Sequence, residues 1–166
     1  GTTLRALAHD EISHVRVNVA QNHNTTAATL DILAKDEHHK ARQGVARNPN
    51  TPPSVLDALA ADNDDGVRAD VATNPLTPVS VLDFLAKDRY VDVRANVAGN
   101  PVVSGETLEV LANDIYEQVR ANVAGDPSVS ASVSDETLEV LAKDRYADVR
   151  MRAAGNPYTP SHLLEV

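Results

Sequence analysis

The chain has 166 residues, a net charge of −9 and no cysteine. This length normally makes one domain with a full hydrophobic core. The lack of cysteine excludes disulfides and thiolate metal clusters, and the acidic balance opposes non-specific binding to nucleic acid or anionic membranes. Apolar residues make up 42% of the chain and aromatic residues only 3%, which favours closely packed helices over a β-sandwich.

The sequence repeats itself every 26 residues, as VRANVAGNP at 93–101 and VRANVAGDP at 119–127 show. Three rows of residues keep this period, with a single longer step of 30, and rows in register predict an array of repeated structural units. The arginine row comprises Arg16, Arg42, Arg68, Arg94, Arg120 and Arg150. The leucine row comprises Leu4, Leu30, Leu56, Leu82, Leu108, Leu138 and Leu164. The aspartate row comprises Asp10, Asp36, Asp62, Asp88, Asp114 and Asp144.

The first predicted helix of each repeat begins at the aspartate row. Asp88 would cap the segment DRYVDVRANVA, and Val93 and Val97, four residues apart, would share its buried face. The helix should end at an Asn-Pro pair, because proline excludes the preceding residue from the helical region and asparagine tolerates a turn. These pairs are Asn48-Pro49, Asn74-Pro75, Asn100-Pro101 and Asn156-Pro157, with Asp126-Pro127 as a variant.

The second predicted helix begins at a Thr-Pro pair, with threonine as the N-cap and proline at the first helical position. The pairs are Thr51-Pro52, Thr77-Pro78 and Thr159-Pro160, and Ser104 and Ser134 take the capping role elsewhere. Leucines such as Leu82 and Leu85 would form its buried stripe. Oppositely charged residues four apart are expected on the exposed face, at Asp31–Lys35, Asp83–Lys87 and Glu139–Lys143.

Helices this short are marginal alone and bury their apolar stripes only by stacking on the next unit. We therefore predict an all-α protein, an α-solenoid of 26-residue two-helix repeats. Residues 1–166 would form a single repeat domain of about five full repeats, with partial units at both ends. Four extra residues near 128–134 should form an exposed loop. Neither end shows a polar capping repeat, which favours a piece of a longer protein or end-to-end association.

The pattern V-R-x-x-V-A-x-N-P-x-T-P-x-x-V-L-x-x-L-A-x-D resembles the leucine-rich-repeat variant family of bacterial α-solenoids, most fully at residues 67–88. The resemblance implies two helices per repeat in a right-handed superhelix related to armadillo and HEAT arrays. One helix can be 3₁₀ in the family, and the 26-residue unit here favours α. The cysteine-bound iron–sulfur cluster of one member has no counterpart, since cysteine is absent. The family implies a shape more than an activity, so function must be argued from sites.

The arginine row is the strongest positional signal in the chain. One interpretation is an anion-binding strip for nucleic-acid phosphate or an acidic peptide. The other is a structural ladder, in which each arginine bridges to the aspartate row or to carbonyls at the helix ends of the neighbouring unit. Nearly equal numbers of arginine and aspartate favour the ladder. As candidate partner-binding residues we retain Arg68, Arg94, Arg120 and Arg150.

A second candidate surface is the tyrosine row, formed by Tyr90, Tyr116 and Tyr146 at one repeat position. Tyrosine is a good interface anchor, and packing on the adjacent repeat is the alternative. Two further clusters have simpler interpretations. The asparagines before proline are explained by their turn, and the histidines near Glu37 (His14, His38 and His39) match no closed zinc site.

The sequence shows no catalytic motif: no nucleophile elbow, no glycine-rich phosphate loop and no HExxH. We expect no cofactor and no metal. The predicted function is a non-enzymatic scaffold for protein–protein interaction through a curved surface. Nucleic-acid or other anion binding along the arginine row is an alternative that the net charge disfavours, and a self-assembling structural element is another. No segment resembles a membrane helix or a signal peptide, which predicts a cytoplasmic protein without a membrane partner.

Overall fold

The computed structural model describes residues 2–125 and 132–161. Within these ranges the chain is all-α, without strands, and the prediction of a helical repeat solenoid is confirmed. The insertion near 128–134 lies mostly outside the described residues. The helices are α1 (Thr2–Leu7), α2 (Ser13–Gln21), α3 (Ala27–Leu33), α4 (His39–Arg47), α5 (Pro53–Leu59), α6 (Asp65–Thr73), α7 (Val79–Leu85), α8 (Val91–Ala98), α9 (Gly105–Leu111), α10 (Glu117–Gly125), α11 (Asp135–Ala142) and α12 (Ala147–Gly155).

Two kinds of helix alternate along the chain. The even-numbered helices carry the arginine row and are called arginine helices; the odd-numbered ones carry the leucine row and are called leucine helices. Within each of the two units described below, arginine helices of neighbouring repeats pack directly on one another, as α4 does between α2 and α6. Leucine helices pack mainly against arginine helices. The arginine helices approach closely because their facing residues are small: a Cβ on Gly44 would lie 2.9 Å from the Cβ of Ala20.

The chain divides into two compact units, Gly1–Val81 and Leu82–Val166. Each has a core of aliphatic side chains from both kinds of helix. Leu56 and Val67 are fully buried in the first unit, and Leu108 and Val119 are fully buried in the second. The predicted buried stripe of the leucine helices is thus confirmed, and small aliphatic residues fill the space between helices. No helix in the described part of the chain is long and apolar enough to cross a membrane.

The predicted start of the arginine helices was wrong by a few residues. α8 begins at Val91 with Tyr90 as its N-cap, and Asp88 stands ahead of it. The Asp88 carboxylate accepts a hydrogen bond from the Tyr90 N–H at 2.9 Å, which folds the turn before the helix. The aspartate row therefore shapes the turns between helices, while a residue two positions later marks the helix boundary.

Threonine also has a role other than the predicted one. The N-cap of α5 is Pro52, one residue after Thr51, so the prediction that Thr51 caps this helix was wrong. The buried Thr51 hydroxyl donates to the Val45 carbonyl at 2.6 Å, and the same carbonyl also accepts from the Asn48 N–H at 3.0 Å. Threonine here ties together the two helices of one repeat.

The two serines do cap their helices as predicted. Ser104 accepts from the Thr107 N–H at 3.2 Å at the start of α9, and Ser134 accepts from the Thr137 N–H at 3.3 Å at the start of α11. These serines take the place of the proline rather than the threonine of the Thr-Pro pair. The predicted surface pair Asp31–Lys35 is also present, at 3.1 Å.

Candidate functional site

The arginine row forms a ladder of ion pairs between neighbouring repeats. The Arg94 Nε and Nη2 atoms donate to the two carboxylate oxygens of Asp114 in the next repeat, at 2.6 and 3.0 Å. Nη1 donates to the Asp88 carbonyl at 2.7 Å, in the turn before its own helix. Such two-point contact fixes both position and orientation of the guanidinium. The same Nε–Oδ2 distance of 2.6 Å recurs in Arg16–Asp36, Arg42–Asp62 and Arg120–Asp144.

Both partners of each pair are held in their charged forms. Burial favours a higher pKa for Asp114, but hydrogen bonds from Arg94 and from the Tyr116 N–H outweigh it, and the pKa falls below its ordinary value. The hydrogen bond to Asp114 in turn raises the pKa of Arg94. The side chains of Arg94 and Asp114 are only 11% and 8% exposed. The ladder is therefore an internal, charged connection between repeats.

The four candidate arginines are not equivalent. Arg94 and Arg120 pair with aspartates of the next repeat. Arg68 is buried and donates through Nη1 to the Asp62 carbonyl at 2.7 Å. Arg150 is exposed and donates through Nη1 to the carbonyls of Asp144 and Arg145. The described pairs are those of the structural interpretation, although the carbonyls lie in each arginine's own preceding turn. Partner binding by these residues stays a prediction.

The tyrosine row lies beside the ladder and is partly exposed. The Arg94 guanidinium carbon lies 5.6 Å from the ring centre of Tyr116, and Arg120 has the same distance to Tyr146. Arg89 and Arg145 lie 4.8 Å from the rings of Tyr90 and Tyr146, beside them in sequence. Cations over aromatic faces hold the rings in place. Each tyrosine nevertheless remains between 38% and 47% exposed, so it packs within the array and also keeps exposed surface.

The asparagine row has a second role that the sequence analysis missed. The Asn48 side-chain amide donates to the Ala20 and Asn22 carbonyls of the preceding repeat, at 2.7 and 3.0 Å. Its oxygen accepts from the Asn50 N–H, which is the predicted turn. Asn156 donates likewise to the Ala124 carbonyl at 2.6 Å. The recurrence of asparagine rather than aspartate was the available signal, because only the amide has a donor.

Asp70 of α6 is a buried carboxylate that the repeat pattern does not explain. One oxygen accepts from Arg47 Nε at 2.7 Å, while Oδ2 is buried and has no hydrogen-bond partner among the described residues. Burial raises the pKa of Asp70. Asn122, at the corresponding position of α10, donates its amide to the Ala95 carbonyl of the preceding repeat at 2.9 Å. Asp70 thus carries a negative charge at a repeat position where the uncharged amide of Asn122 finds a hydrogen-bond partner.

Asp70→Asn is expected to stabilise the chain by roughly 1 kcal/mol at pH 7, because it removes a poorly satisfied buried charge. Because the pKa of Asp70 is raised in the folded state, its protonation favours folding at low pH. This contribution to stability is lost as the pH rises through the pKa of the folded state. The gain should therefore shrink towards pH 4, where the native carboxyl is increasingly protonated. Urea unfolding at both pH values measures this. The exposed Asp57→Asn is the control, and an equal gain there, or one independent of pH, contradicts the explanation.

His14 of α2 lies near His38 and His39, at the start of α4. The rings of His14 and His38 lie 6.5 Å apart, and His38 and His39 are stacked at 5.2 Å. The described residues nevertheless contain no group of three or more histidine or carboxylate side chains placed to hold a metal ion.

The sequence model described as leucine rich repeat variant matches residues 40–64, which include α5 and all of α4 except its first residue. A comparison with curated proteins finds no match. Among solved structures, YibA of Escherichia coli is similar with 19% identity, over 92% of this chain and 68% of that one, at a TM-score of 0.65. This likeness concerns the fold.

Two further solved structures are similar over most of the chain. One is described as a leucine-rich repeat variant with a novel repetitive structural motif, with 26% identity, 93% and 70% coverage of the two chains and a TM-score of 0.41. The other is an engineered protein with 17% identity, 91% and 92% coverage and a TM-score of 0.49. The resemblance to the leucine-rich-repeat variant family is confirmed by the family match at residues 40–64.

Proposed function

We propose that the chain is a non-enzymatic repeat scaffold that binds a protein or peptide partner through the tyrosine row. The proposal is supported by the different roles of the rows in the structure. Arginine, aspartate, asparagine and threonine side chains make hydrogen bonds inside the array. Tyr90, Tyr116 and Tyr146 instead keep a substantial exposed surface, in the same unit and at the same repeat position.

Arginines of the ion-pair ladder hold two of these rings, Tyr116 and Tyr146, in place. A ring held against a guanidinium loses less freedom when a partner covers it, so less of the binding free energy is spent on ordering. Tyrosine also offers a large apolar face and a hydroxyl, which explains its enrichment at interface hot spots. The arginines thus support the proposed surface by positioning it.

Nucleic-acid binding along the arginine row has weaker support. A phosphate would have to compete with Asp114 for Arg94 and with Asp144 for Arg120, and both aspartates already make two hydrogen bonds to their arginine. Losing those pairs would leave buried carboxylates unpaired, which is costly. The net charge of −9 adds a repulsive field. Self-assembly into a larger array remains a separate prediction, for which light scattering at high protein concentration is the test.

Affinity capture from the native host tests the proposal. The bait is the parent chain beside a variant with Tyr90, Tyr116 and Tyr146 all changed to alanine, with folding checked by circular dichroism. Tyr158→Ala is the matched control, because Tyr158 is 51% exposed but lies outside the tyrosine row. Captured proteins are identified by mass spectrometry, purified and titrated.

The expected result is a partner that binds the parent and the control equally and the triple variant about tenfold or more weakly. Equal affinity for all three proteins would contradict the proposed surface. An arginine-to-glutamate bait is less informative, because it would break the ladder and disturb the fold as well as the surface.

A further inference from the structure

An exposed apolar strip runs along the leucine helices of the second unit. It consists of Phe84 of α7, Val110 of α9 and Val140 of α11, which occupy one repeat position. These side chains are 61%, 61% and 53% exposed. Phe84 is the only phenylalanine in the chain, yet it lies on the surface and not in the core. Large apolar residues exposed at consecutive equivalent positions indicate a contact surface more than scattered ones do.

A groove lies beside the strip, between α9 and α11. Its volume is about 300 Å³, and its lining includes Glu109, Ala112, Glu136, Thr137 and Val140. α9 and α11 belong to neighbouring repeats. These two repeats are joined chiefly by the direct packing of α10 on α12. The two leucine helices are therefore held next to each other with an open space between their outer turns, large enough for a side chain from another molecule.

The charge on these two helices is of one sign. α9 and α11 contain five acidic residues and no lysine or arginine, namely Glu106, Glu109, Asp135, Glu136 and Glu139. Lys143 follows α11, as Lys35 and Lys87 follow α3 and α7, but Asn113 takes that position after α9. The Asn113 amide donates to the Glu109 backbone carbonyl, so the position after α9 holds an uncharged side chain.

We infer that the strip and the groove bind a basic amphipathic segment of a partner protein. The apolar side chains of that segment cover Phe84, Val110 and Val140, and a lysine or arginine enters the groove between Glu109 and Glu136. Charge complementarity selects this occupant, because an acidic segment, a nucleic acid or an anionic membrane would meet only like charge on these helices. The inference names the partner class for the proposed scaffold and rests on that function, but it uses a surface separate from the tyrosine row.

The test uses a synthetic helical peptide with leucines on one face and lysines on the other, titrated into the full chain by calorimetry. Two peptides serve as controls, one with glutamate in place of lysine and one with serine in place of leucine. The parent chain should bind the first peptide and bind both controls at least about tenfold more weakly. Absence of binding to the first peptide, or equal binding of either control, overturns the inference.

Three double variants locate the site. Val110→Ser with Val140→Ser removes apolar surface, and Glu109→Gln with Glu136→Gln removes the groove's charge. The control, Asp31→Asn with Asp57→Asn, alters the net charge equally on the leucine helices α3 and α5 of the first unit. Each site pair should weaken binding about tenfold, and the control less than about twofold. The inference is overturned if the Glu109 and Glu136 variant weakens binding no more than the Asp31 and Asp57 control, or if the valine variant does not weaken it. The tyrosine-dependent capture is unaffected by either result and tests the scaffold separately.

Discussion

Leu108→Ala is expected to lower the free energy of unfolding by about 2–5 kcal/mol, the cost of an unfilled cavity plus lost apolar burial. Leu108 is fully buried, and α9 has only seven residues, too few to be stable alone. The helix is held in place by the side chains it buries, among which Leu108 and Leu111 are completely inaccessible to solvent or nearly so. Urea unfolding followed by circular dichroism measures the loss.

Val110→Ala is the matched control for this change. It lies in the same helix, two residues further on, and its side chain is largely exposed. Its replacement should change stability by less than about 0.5 kcal/mol, since alanine also favours the helix. A similar loss for both variants would contradict the explanation by burial, because the exposed Val110 side chain fills no space in the repeat core.

The repeat itself was predictable from the sequence, because periodic apolar residues determine which faces must be buried. The 26-residue period placed Leu108 and Val119 in the core and Ser104 and Ser134 at helix starts. It also paired the arginine and aspartate rows. These features follow from patterns that are local or recur at fixed spacing, and they need no knowledge of the contacts between helices.

The roles of short polar side chains were harder to predict, because each can serve several purposes. Asp88 and Thr51 were both predicted to be N-caps. Instead, the Asp88 carboxylate accepts from the Tyr90 N–H in the turn before α8, and the Thr51 hydroxyl donates to the Val45 carbonyl of α4. Which donor or acceptor they meet depends on how closely helices approach, and this is a tertiary property. The same holds for the Asn48 amide, whose partners are 28 and 26 residues away.

Gly105 shows a further limit of the pattern. A Cβ at this position would lie 2.6 Å from the Ser132 carbonyl oxygen, so only glycine admits this approach of the chain to α9. Other repeats carry proline, valine or aspartate there, at Pro53, Val79 and Asp135. Glycine in the repeat next to the insertion is understood only once the path of residue 132 is known.

The tyrosine row was visible in the sequence. The packing of Tyr116 and Tyr146 against the ladder arginines could not be predicted, because it depends on how neighbouring repeats are placed.

Arg94→Ala is expected to lower the free energy of unfolding by about 2–3 kcal/mol, because it leaves the Asp114 carboxylate buried without its guanidinium partner. Arg94→Lys keeps the charge but has no planar pair of donors, so it should recover only part of this loss. Both variants are compared with the parent by urea unfolding at pH 7, where Asp114, with its lowered pKa, is ionised in the folded and unfolded states.

Arg150→Ala is the internal comparison for the ladder. Arg150 makes the same kind of backbone contact as Arg94, with its own preceding turn, but it is exposed and forms no aspartate pair among the described residues. Its replacement should therefore cost less than about 1 kcal/mol, the usual range for an exposed hydrogen-bonding group. The difference in free energy of unfolding between the two variants gives the contribution of the Arg94–Asp114 pair between repeats, because both arginines also bond to a carbonyl in their own preceding turn. If Arg94→Ala were as mild as Arg150→Ala, the ladder would not stabilise the array. The arginine row would then have to be explained by a ligand, and the anion-binding interpretation would regain the stronger position.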